Sequence, residues 1–264
     1  MIGKNDEVVS AIQDFIASQR RKKGIVNEII REDVFDILGE ECTVLYYALN
    51  DSKVEGCHVI KPMNDSMRQF VFINTTKAVQ EQTWTAAHEL GHVWKVDVYV
   101  KEKLNKYDLD SEDLVNRFAA ELLLPENIFI KELENKLKEY NYEGAQISAE
   151  MMVRLVTYLM NYFCTPYKAI IRRFIELDYI EENAEEQFLK GFEDELDLYK
   201  RLIAENQYTR LEKINRAYSM GSIEQDINLL EENEVYSDRK VARLREMFHL
   251  ERTEVKKESY NFGG

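Results

Sequence analysis

Apolar residues along the chain keep two different rhythms. Val8, Val9, Ile12, Phe15 and Ile16 recur at helical spacing and predict a helix over 6–23, stopped by Gly24. Ile29, Ile30, Val34, Ile37 and Leu38 predict a second, shorter helix over 27–38, ended by Gly39. The rhythm changes at Cys42. Residues 42–49, 54–60 and 69–75 are rich in β-branched and aromatic side chains, separated by Asn50-Asp51-Ser52 and Met63-Asn64-Asp65-Ser66. They read as three short strands of a small antiparallel sheet.

After Thr76 the helical spacing returns and holds along the chain. A helix is expected over 78–96, then a loop or short extension over 97–110. Another follows over 111–124, capped by Ser111 and broken at Pro125. Ser148 reads as the N-cap of a helix to about 163, and Thr165-Pro166 as an N-cap with proline at the first helical position of the next. Beyond about 180 the sequence is charged and helical. Phe188, Phe192, Leu196, Tyr199 and Ile203 share one face, and shorter pieces lie near 208–218, 223–231 and 238–248. Ser222 with Gln225 could form a capping box, and the tail 260–264 should fray. The fold class is therefore α+β: a domain over 1–178 with a small sheet, then an acidic helical region over 179–264.

Composition narrows the function. The 264 residues are 45% hydrophobic, enough for a substantial core. The net charge of −14 argues against nucleic acid as the main partner, because phosphate contacts call for a basic surface. The run Arg20-Arg21-Lys22-Lys23 reads as a solvated helix end. Three cysteines, an odd number without CxxC spacing, do not form a disulfide framework and favour a reducing compartment. The first six residues lack the apolar stretch of a secretion signal, and no uncharged apolar run approaches the roughly eighteen residues of a membrane span. Cytoplasm is the expectation, with no membrane partner.

The candidate chemistry lies in Thr85-Ala86-Ala87-His88-Glu89-Leu90-Gly91-His92. Histidines at i and i+4 share one helix face and can direct two imidazoles at one zinc ion. Glu89, one residue on from the first, is displaced around the helix and addresses water at the metal instead of the ion. A catalytic zinc site takes three protein ligands and keeps one position open. Lys95 and Val98 stand where HExxHxxGxxH would need Gly and His, so that third ligand is absent. His58 and His249 qualify by residue type only. The helix over 111–124 offers Glu112, with Asp113 and Glu121 as rivals. Asn116, four residues after Glu112, can bond the outer nitrogen of a ligand histidine and fix its tautomer. Glu112 is favoured. Tyr99, Tyr107 and His249 are available to stabilise an oxyanion, and none of them is singled out.

The HELGH motif, together with Asn116-x-Phe118-Ala119-Ala120-Glu121-Leu122-Leu123-Leu124-Pro125, resembles the ImmA/IrrE family of metallo-endopeptidases. So do the strand Phe70-Val71-Phe72-Ile73-Asn74 ahead of the motif and the later pair with Phe163-Cys164-Thr165-Pro166 and Arg172-Arg173-Phe174. The chain departs from the pattern at Leu114 and Val115 and lacks the histidine often found shortly after the zinc helix. The resemblance covers roughly 1–178. It implies a zincin-like fold, a zinc cofactor and cleavage of a cytosolic protein substrate, a helix-turn-helix repressor, in stress response or mobile-element control. The alternatives are a non-catalytic zinc-binding regulator acting through protein contacts, and a metal-free interaction protein.

Overall fold

The computed structural model describes residues 6–49, 53–63, 66–142, 147–212, 223–233 and 235–247. The features expected at Asn50-Asp51-Ser52, at Asn64 and Asp65, over 213–218, at Ser222 and over 260–264 lie outside these residues, as does His249. The chain forms two compact units, 1–218 and 219–264. The first opens with α1 (Asp6–Lys23), a short 3-10 turn and α2 (Val34–Glu41). The strands β1 (Thr43–Tyr47), β2 (Gly56–Met63) and β3 (Ser66–Asn74) follow. Next come α3 (Val79–Trp94), α4 (Val96–Leu104), α5 (Ser111–Leu123), α6 (Glu126–Glu139), α7 (Ala149–Phe163) and α8 (Tyr167–Glu176). A second 3-10 turn leads to α9 (Glu185–Asp194), α10 (Leu196–Asn206) and α11 (Thr209–Glu212). In the second unit, α12 (Ile223–Glu232) packs on α13 (Asp238–Met247), and Arg245 donates to Asn228 at 2.6 Å and Glu231 at 2.7 Å. Among the described residues no helix is long and apolar enough to cross a membrane.

The fold is α+β, with a three-stranded sheet in the order β1-β3-β2. The sheet is mixed and not wholly antiparallel as expected: β2 runs antiparallel to β3, but β1 runs parallel to it. The expectation assumed that sequential strands are neighbours. Here β3 inserts between β1 and β2, so the connection between those two must cross the end of β3. Asn74, fully buried at that end, ties the crossing down. Its Oδ1 accepts from the Leu49 amide at 3.0 Å and its Nδ2 donates to the Val54 carbonyl at 2.7 Å. The Asn74 amide itself donates to Glu55 at 2.9 Å. A buried amide side chain with both ends bonded satisfies backbone groups that the crossing would otherwise strand.

Val71 and Ile73 of β3 are fully buried, and α3 packs across β2 and β3. The other face of α3 receives α2 and α5, while α1 packs on α4 and α5. Helix α7 gathers α6, α8, α9, α10 and α11 around it. Ser148 caps α7 as read, accepting from Met151 at 3.2 Å. The helix after Pro166 begins one residue later than expected: Pro166 occupies the N-cap position, and the buried Thr165 makes no cap bond.

The stretch 97–110, read as loop or extension, is largely helical. Lys95 takes a left-handed conformation (φ 58°), which ends α3 and begins α4 with one residue between them. Val96 and Val100, four apart and both fully buried, anchor α4. Only these two positions betray the helix; the intervening charges hide it from a reading of hydrophobic period.

Candidate metal centre

Helix α3 is buried on most of its surface: Ala86, Ala87 and Leu90 are fully buried, Thr85 and Glu89 nearly so. At its start Glu81 accepts from the Ala78 amide at 3.0 Å, the half of a capping box that remains when the cap residue is alanine. His88 and His92 emerge half-buried on one side. Helix α5 lies against that helix at Gly91, where a Cβ would come within 2.9 Å of both Phe118 Cδ1 and Val115 Cγ1. Only glycine permits this approach, which brings the first two turns of α5 to the histidines.

Asp110 caps α5, its Oδ1 accepting from the Asp113 amide at 2.9 Å. The expected cap, Ser111, is one residue too far along. Its hydroxyl accepts from Lys101 Nζ at 2.6 Å and donates to Asp97 at 2.8 Å, fastening α5 to α4. This leaves Glu112 in the first turn, facing the imidazoles. Glu112 Oε2 lies 3.3 Å from His88 Nε2, and Oε1 lies 3.4 Å from His92 Nε2. The two Nε2 atoms are 3.2 Å apart. One ligand atom from each of His88, His92 and Glu112 thus falls within 4.8 Å of the other two. Among the described residues no other group of three or more His, Cys, Asp or Glu comes together in this way.

The donor chemistry fits a cation. Asn116 Oδ1 sits 3.0 Å from His88 Nδ1. An amide oxygen can only accept, so Nδ1 carries the proton and Nε2 turns a lone pair to the cluster. Burial and the neighbouring His92 hold His88 below its ordinary pKa, which keeps the ring neutral. A lone pair on His88 facing a carboxylate oxygen is repulsive until a cation or proton lies between them.

Glu89 is 6% exposed, with its carboxyl against β2. A Cβ on Gly56 would stand 3.5 Å from Glu89 Oε1 and 2.5 Å from Thr85 Cγ2, so this strand can approach the helix only as glycine. Burial, with Glu112 adding repulsion, pushes the Glu89 carboxyl up to about 7. That is the range in which a carboxyl exchanges protons near neutral pH.

The other candidates lie elsewhere. Glu121 is 5% exposed and saturated: Arg173 donates to both its oxygens at 2.7 and 3.2 Å, Arg117 at 3.0 Å and Gln13 at 3.0 Å. Asp113 contributes no atom to the cluster. His58 is not a member either, but its ring lies nearly parallel to that of His92, centroids 6.3 Å apart, while its Nε2 meets Gln69 Oε1 at 2.9 Å. Tyr99 packs on Phe15, and Tyr107 is two-thirds exposed. The closeness of His58, the glycine contacts and a cavity beside Asn116 carry no mark in the sequence, because each joins elements distant along the chain.

The peptidase M78 family, through its IrrE N-terminal-like domain, matches residues 41–174. That stretch contains the whole sheet, the three clustered residues and the Glu121–Arg173 pair. No curated protein matches the chain.

Proposed function

We propose, from the premise that the chain belongs to the peptidase M78 (IrrE N-terminal-like) family, that it is a zinc-dependent endopeptidase acting on a cytosolic protein. The substrate class we favour is a helix-turn-helix repressor. The observation that carries the reading is the convergence of ligand atoms of His88, His92 and Glu112 beside a buried carboxyl at Glu89. His88, His92 and Glu112 would hold the ion. Zinc, when bound, supplies Lewis acidity that makes water a better acid and polarises a carbonyl.

The chain's own residues do the rest. Asn116 fixes the His88 tautomer so that Nε2 presents its lone pair. Glu89 accepts a proton from the attacking water and returns it to the leaving amine. Its burial keeps it out of competing ion pairs. Strand β2 is an edge strand, and its unpaired backbone groups can accept an extended peptide as a further strand next to the centre.

Glu89→Gln tests this reading. It should keep metal and fold but lose cleavage of a co-expressed candidate repressor by about two to four orders of magnitude, the weight of a general base. If neither wild type nor variant cuts the repressor, yet both relieve repression equally, the protein acts by binding and the hydrolase reading fails.

A further inference from the structure

We propose that the cavity beside the metal centre is the pocket that selects the substrate, that it takes a large apolar side chain of the peptide, and that α9 and α10 build its outer wall. The proposal rests on the peptidase reading of the same centre.

The cavity measures about 600 Å³, within the usual range for a ligand site. It is lined by Trp84 of α3, Asn116 of α5 and Tyr167 of α8, and by Leu189, Phe192 and Tyr199 of α9 and α10. Asn116 belongs to the lining and also bonds His88, so one side chain separates the cavity from the clustered residues. The outer wall is stiff. Tyr167 stacks on Phe192 with centroids 4.7 Å apart, and Phe192 meets Tyr199 edge-on at 5.4 Å. Helix α9 begins at Glu185, so this wall lies beyond the residues matched by the family at 41–174.

The chemistry of the lining chooses the occupant. Its arginines are already engaged: Arg117 with Glu176 at 3.1 Å, and Arg172 with Glu185 at 3.8 Å. Lys168 lies over the Tyr167 ring. Glu55 and Glu81 both face Lys77. Glu55, Glu81, Asp113, Glu176 and Glu185 outnumber Arg117, Lys168 and Arg172, so the lining disfavours an acidic side chain, and its aromatic and aliphatic surface favours an apolar one. Gln80, 5% exposed in the lining, meets the Tyr199 hydroxyl and so ties α3 to α10 at the cavity wall.

The test uses the full zinc-loaded chain and a random decapeptide library, with cleavage sites read by mass spectrometry. In parallel, the same library is passed over immobilised Glu89→Gln protein and the retained peptides are sequenced. We expect Phe, Tyr, Leu and Met to be enriched over Ala at one fixed position from the cut by roughly 10–200-fold, and enriched likewise in the retained set. Leu196→Trp fills the cavity from a half-exposed position that tolerates change, and Leu189→Trp fills it from α9. Either should bring the enrichment close to one. Preference unaltered in Leu196→Trp, or absent from both the cut and the retained sets of wild type and Glu89→Gln, overturns the pocket. If nothing is cut but Glu89→Gln retains large apolar residues and Leu196→Trp abolishes that retention, the pocket stands and the peptidase reading falls.

Discussion

The two ends of α5 each carry a glutamate, and the two have opposite surroundings. Glu112 is exposed and shares its oxygens with imidazole nitrogens. Glu121 is buried and surrounded by two guanidinium groups and an amide that fill its lone pairs. The same side chain on the same helix is open to a cation at one end and closed to it at the other. Residue type and helical spacing do not decide which carboxylate can bind a metal; the number of donors already spent on it does. The closed pair has its own use, since Arg173 is fully buried and joins α8 to α5.

The sharpest way to break this contrast is to remove each carboxylate in turn. Glu112→Gln should abolish stoichiometric zinc, measured by metal analysis after dialysis, and leave the melting temperature of the metal-free chain nearly unchanged. Glu121→Gln should keep the zinc and lower the melting temperature. Reversal of the two results would assign the metal to Glu121.

Next in size is the loss of Arg173. Arg173→Leu leaves the buried Glu121 with Arg117 and Gln13 as its remaining partners and should cost up to about 3–5 kcal/mol in urea unfolding. The double variant Glu121→Gln/Arg173→Leu also removes the under-partnered carboxylate and should recover part of that. An equal loss in single and double variants would mean that the pair is no more than packing.

A smaller effect is expected at Asn116. Asn116→Ala leaves all three ligands but frees the His88 ring, and should weaken zinc binding roughly 10–100-fold in a competition titration against a chelator. Unchanged affinity would show that packing alone fixes that ring.

The gentlest probe is acid. Burial opposes ionisation of Glu121, but Arg173, Arg117 and Gln13 outweigh it and hold the carboxyl below its ordinary value. A depressed pKa stabilises the fold above the unfolded-state value of about 4.3, and that contribution is lost as pH falls through the folded value. The urea midpoint of wild type should therefore drop more between pH 5 and pH 3 than that of the double variant. Parallel curves would remove Glu121 as the cause.

The sequence showed what lies within one helix. His88 and His92 at i and i+4, and Glu112 and Asn116 at the same spacing, are local relations that survive in three dimensions whatever packs around them. Relations across elements were hidden. The direction of β1 depends on β3 inserting beside it, which no strand pattern records. Asp110 and Ser111 are adjacent polar residues of similar capping strength, and only the neighbouring Lys101 and Asp97 draw Ser111 away. Gly56 and Gly91 look like ordinary glycines until the atoms facing them are known. The Glu121–Arg173 pair spans 52 positions and could be seen only once α8 was placed.

Gly91 has one more consequence. Because no Cβ separates α3 from α5, the spacing of those helices sets how far Glu112 stands from His88 and His92. Any swelling of the helix pair would draw the carboxylate away from the imidazoles, so a cation held by all three would gauge compactness. Linkage makes the relation reciprocal. A cation at a thousandfold excess over its Kd would add about 4.1 kcal/mol to the closed pair, so the concentration of a metal becomes a term in how tightly this chain holds itself together.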